Sequence, residues 1–121
     1  MKKFNNAVVN GYNGKPIMWN IDGKVQELKT VNAFFLVLNN YKMMSQKDSI
    51  EGSKLAIALD KVVTGEDEII SIEEGTHDWF KLIAERLTPG IFGVNGNVVY
   101  MFVKEGFAKD KEKEDNKRGR T

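Results

Sequence analysis

The 121-residue chain has no cysteine, one histidine and two prolines. Without cysteine there is no disulfide framework, no thiolate nucleophile and no cysteine-ligated zinc, a pattern that fits a reducing compartment. A zinc site needs three or four ligands, and carboxylates beside one imidazole rarely supply them, so no metal or cofactor is expected. Long apolar runs are missing too. The longest, AFFLVL (33–38) and VVYMFV (98–103), fall far short of the roughly 20 residues that span a bilayer. Two lysines open the chain with no apolar stretch behind them, which is not a signal peptide. A soluble protein without a membrane partner is the expectation.

What remains is the composition of one ordinary domain, 41% hydrophobic and 29% charged. Charge is placed unevenly. From Ala108 onward six basic residues stand against four acidic ones, leaving twelve against thirteen in the rest. The division expected is a folded domain over 1–107 and a disordered, charged tail over 108–121. A near-neutral body is not the electrostatic footprint of a dedicated DNA binder.

Turn signals crowd the first thirty residues: Asn10-Gly11, Asn13-Gly14 and Asp22-Gly23. A two-residue turn at 22 and 23 sets Ile21 opposite Lys24, Trp19 opposite Gln26 and Ile17 opposite Leu28. Ile17, Trp19, Ile21 and Leu28 then share one face, which predicts a small β-hairpin lying on a core. Thr30 is placed as the N-cap of a helix whose stripe is Val31, Phe34, Phe35 and Leu38. Residues 42–49 are expected as a loop. Asp48 and Glu51 then open a second helix with Leu55, Ala58, Leu59 and Val62 inward and Gly52 weakening its first turn. The segment IISI (69–72) reads as extended.

Ser71 and Glu74 match a capping box, with Glu73 and Glu74 favoured near the helix dipole. Trp79, Leu82, Ile83 and Leu87 are the expected inner face of this third helix, and Thr88-Pro89-Gly90 its stop. His77 and Asp78 are neighbours on it, pointing about 100° apart, so they cannot form the imidazole–carboxylate pair of a catalytic triad. Glu73 and Glu74 are within reach of His77, as a solvated helix interaction. The segment 91–103 supports two readings. Asn95-Gly96 between β-rich flanks favours a hairpin. Ile91, Val94, Val98 and Phe102 recur at helical spacing.

Other chemical motifs are weak. The acidic run at 65–68 lacks the spacing of an EF-hand loop, and Gly90, Gly93 and Gly96 give the wrong pattern for a dinucleotide loop. There is no phosphate-binding Walker sequence and no nucleophile elbow. Lys117, Arg118 and Arg120 are the candidate nucleic-acid contacts, able to touch phosphates without reading bases. Acids interleave them and no aromatic residue offers stacking. Catalytic, cofactor and metal residues are therefore expected to be absent.

Taken in order, MKKFNN (1–6), YNGKPI (12–17), VNAFFLVL (31–38), KLAIALDKVV (54–63), DEIISIEE (67–74) and the stretch from His77 to Val103 resemble a diffuse family of small proteins encoded by tailed bacteriophages. The resemblance implies two helices, a short extended segment, a helix opened by acids and a last helix after the proline. It transfers no catalytic residue. It tips 91–103 towards the helix, packed on the one before it. The fold expected is α+β, an N-terminal hairpin on about four helices. The resemblance brings no assigned activity. Small size, a whole apolar core and the lack of convergent polar groups leave surface recognition. The function expected is therefore a non-catalytic phage accessory protein that binds a host or phage protein, and the phage origin implies the host cytoplasm. A virion or assembly component and a nucleic-acid-binding regulator using the tail stay open as alternatives, as does homo-oligomerisation.

Overall fold

Asp22-Gly23 does what its sequence dictates. In the computed structural model, which describes residues 1–105, both residues adopt positive φ (54° and 83°) and close a two-residue turn. It joins β2 (Met18–Ile21) to β3 (Lys24–Glu27), with Ile21 opposite Lys24 and Trp19 opposite Gln26. Leu28 donates its N–H to the Ile17 carbonyl at 2.7 Å and both side chains are buried, so the expected inner face is present. The first strand, β1 (Lys2–Asn5), pairs antiparallel with β4 (Ile69–Ile72), Phe4 lying opposite Ile70. Alternation of buried Phe4, Ile70 and Ile72 with more exposed neighbours turns this second sheet onto the core. The fold is α+β, as expected, although this sheet was not foreseen.

Helix α1 (Thr30–Asn40) buries Val31, Ala33, Phe34, Val37 and Leu38. Thr30 is its first residue, not its cap. Its hydroxyl instead bonds the Ala7 backbone, tying the N-terminal segment to the helix start. Helix α2 (Gln46–Val63) begins before the expected point because Ser45 caps it, accepting from the Asp48 N–H. Leu55 and Leu59 are fully buried. A Cβ at Gly52 would meet the Met43 methyl, the end of a flexible, 40% exposed side chain that can move aside.

The third helix, α3 (Glu74–Phe92), corrects three expectations. Ser71 lies in β4, so the capping box does not form and Glu73 is the cap. The helix runs through Pro89: both Pro89 and Glu85, whose carbonyl the missing N–H would have met, face water. It stops instead at Gly93, which takes positive φ and donates to the Pro89 carbonyl. Its buried face is Trp79, Phe80, Ile83 and Ala84, whereas Leu82 is 66% exposed.

After a single 3-10 turn (Gly93–Asn95), α4 (Gly96–Glu105) folds back on α3. The helical reading of this segment is the one observed, on a different stripe. Phe92, Val99 and Val103 are buried, while Val94 is 77% exposed and Ile91, Val98 and Phe102 are half-buried. Gly96 is helical rather than a hairpin turn; a Cβ there would lie 2.8 Å from Pro89 Cα and 2.9 Å from the Thr88 carbonyl. Glycine lets the two helices close. At the centre Phe4, Phe34 and Phe80 form an edge-to-face chain, with centroids 4.9 and 5.2 Å apart.

Candidate functional site

The single histidine belongs to the core. His77 is 2% exposed and packs against the Phe4 ring. Its Nε2 lies 2.7 Å from the Val103 carbonyl oxygen, which can only accept, so Nε2 carries the proton. Val103 is on α4. The imidazole thus fastens α4 to α3. Burial is the main cause that lowers its pKa, helped by Lys81 and Lys2 and opposed by the hydrogen bond and by Asp78. Neither Glu73 nor Glu74 bonds the ring, so the expected solvated pair is replaced by a buried bond to backbone. Among the described residues no group of three or more His, Asp or Glu side chains could hold a metal ion.

A second polar centre organises the start of α2. Asp48 accepts from Trp79 Nε1 at 3.0 Å, from Tyr41 Oη at 2.9 Å and from the Met44 N–H at 2.9 Å. Those bonds, the one from Trp79 foremost, hold its pKa below the ordinary value, and the Tyr41 hydroxyl is correspondingly raised by its bond to the carboxylate. Every oxygen of this centre is committed to holding α1, α2 and α3 together.

The third centre lines a groove of about 400 Å³ between α2 and β4. Buried Thr76 donates to Glu51 at 2.6 Å, and Lys54 lies 3.6 Å from Glu51 and 3.2 Å from Glu73. The hydrogen bond to Glu73 and the charge of Glu51 raise the Lys54 pKa. It is a protonated strut, not a free amine nucleophile. Thr76 is 1% exposed and its hydroxyl is given to Glu51.

The outer wall of this groove is the surface that sequence reasoning missed. Ile57 lines it, and Ile57 and Ile50 are 58% and 54% exposed. At about 100° per residue the two project together, roughly opposite the buried Leu55 and Leu59. Lys47, Lys54 and Lys61 repeat at the same seven-residue interval and flank them. Met43 and Met44 are exposed just before the helix. The signal was in the sequence as isoleucine repeated after seven residues on the side of a helix already supplied with an inner face.

Lys117, Arg118 and Arg120 lie outside the described residues, as does the boundary expected at 107. Among the described residues no helix is long and apolar enough to cross a membrane. No protein-family model, curated protein or solved structure matches the chain.

Proposed function

We propose that this chain is a non-catalytic accessory protein of a tailed bacteriophage that acts by binding another protein, a host factor or a component of host defence. The observation that carries the binding is the position of Ile50 and Ile57 in the middle of the solvent face of α2. Helix geometry gives no reason for isoleucine there, since the helix is anchored by its opposite face. Ile50 and Ile57 are 54% and 58% exposed, so covering the remainder of each contributes about 1 kcal/mol, roughly half the value for a whole side chain. Lys47 and Lys61 flank the pair while Lys54 is held by Glu51 and Glu73, so the complement is first of all an apolar patch. The phage setting rests on the resemblance of the segment order, and the host cytoplasm follows from it.

Affinity capture from a bacterial lysate tests the reading. Wild-type protein retains one stoichiometric protein, and an Ile50→Glu/Ile57→Glu variant retains at least tenfold less at an unchanged melting temperature. Capture of nothing by wild type, or equal capture by the variant, sinks it.

A further inference from the structure

A second groove, of about 290 Å³, lies between β2 and α1, away from the α2 face. One wall is Trp19 to Asp22. The other comes from α1, where Asn32, Phe35 and Asn39 stand at i, i+3 and i+7. No β3 residue lines it, so it opens on the side of β2 that β3 leaves free.

The hairpin parity says what that side offers. A two-residue turn makes Ile21 and Lys24 exchange backbone hydrogen bonds, and the next exchanging pair is Trp19 and Gln26. The bond from Leu28 N–H to the Ile17 carbonyl fixes the same parity. Met18 and Asn20 therefore turn their N–H and C=O groups outward. Among the described residues no backbone group completes that edge.

The groove is furnished for more than backbone. Trp19 is set against Phe92, ring centroids 5.3 Å apart, so its position is fixed before anything binds. Its indole N–H and the carboxamides of Asn20, Asn32 and Asn39 make no hydrogen bond within the described residues. Carboxamides both donate and accept, which suits a peptide backbone. Asp22 is the one charged residue in the lining, so the groove's charge favours a cation over an anion.

From these features we infer that the groove binds an extended, neutral-to-basic peptide segment of a partner protein, added to β2 as a third strand. An aromatic or large aliphatic side chain of the peptide sits on Trp19 and Phe35. A lysine or arginine reaches Asp22. Four residues of strand span about 13 Å, so a core of four to six peptide residues is enough. This goes beyond the α2 surface and does not depend on it.

Selection of a displayed random heptapeptide library on the full chain, followed by fluorescence anisotropy with the synthesised winner, tests the inference. The expected consensus pairs one aromatic or large aliphatic residue with a basic residue at fixed spacing. Asn20→Pro, which removes an edge N–H, lowers affinity at least tenfold, and Asn39→Arg does the same by placing a cation in the groove. Val25→Pro makes the equivalent change on the outer edge of β3 and leaves affinity unchanged. N-methylation along the peptide abolishes binding at alternate residues, the period of a paired strand. If Asn20→Pro fails to fold, Asn39→Arg and the N-methyl series decide. An absent consensus, or binding indifferent to both, overturns the inference. A peptide lost on Ile50→Glu/Ile57→Glu but not on Asn39→Arg overturns the groove while leaving the α2 surface standing.

Discussion

His77 Nε2 donates to the Val103 carbonyl at 2.7 Å, across 26 residues of sequence and at the contact between α3 and α4. The protein's one imidazole is thereby spent on holding the last helix in place. His77→Phe keeps an aromatic ring in the core but removes the bond to the Val103 carbonyl, which costs about 0.5–1.5 kcal/mol at pH 8. Urea denaturation of the two proteins measures it.

The same residue sets a pH dependence. Its folded pKa lies below the ordinary 6.5 because the neutral ring is the one the core accepts. The unfolded chain therefore takes up the proton first. The contribution is fully present above pH 6.5 and is lost as pH falls from there towards the folded value. Wild-type stability is expected to decline across this window, and His77→Phe to flatten the decline.

Asp48 gives a second acid-labile centre at lower pH. Its folded pKa lies below 3.8, so its support is present above that value and is lost as pH falls through the folded one. Asp48→Ala lowers the melting temperature and frees the Trp79 indole. In a Trp19→Phe background, where Trp79 is the remaining indole, its emission shifts red in the Ala variant at neutral pH.

Glycines in the C-terminal half separate by sign. Gly96→Ala forces a methyl against the backbone of Pro89 and Thr88, for which an overpacking cost of about 1–3 kcal/mol is expected. Gly90→Ala and Gly75→Ala meet nothing within 4 Å on α3 and stabilise by about 0.4–1 kcal/mol. Thermal melts of the three variants decide the contrast.

The sequence disclosed what is local. Asp22-Gly23 specified a turn that few other pairs adopt, and the hairpin register followed from it to the residue. The stripe of α1 and the extended IISI segment were equally readable. Relations set by distant chain were not. Asn95-Gly96 carries a hairpin signal, but Gly96 serves the approach of two helices, which no neighbour in sequence announces. Pro89 reads as a stop, yet α3 runs on to Phe92, and the carbonyl left without its N–H is that of exposed Glu85. Phe4 gave no sign of its partner Ile70, 66 positions on. The candidate site is a different case. With Leu55 and Leu59 already read as the inner face, Ile50 and Ile57 fall on the opposite side of the same helix, a local signal that sequence reasoning missed.

Photo-crosslinking tests most directly whether the α2 face is where this protein works. A benzophenone amino acid is placed in turn at positions 50, 57 and 94 in bacterial cells, the last being exposed but remote from the α2 stripe in the chain. One discrete adduct, with the same protein, is expected from 50 and 57 and none from 94. No adduct at 50 and 57, or the same adduct at all three, would contradict it.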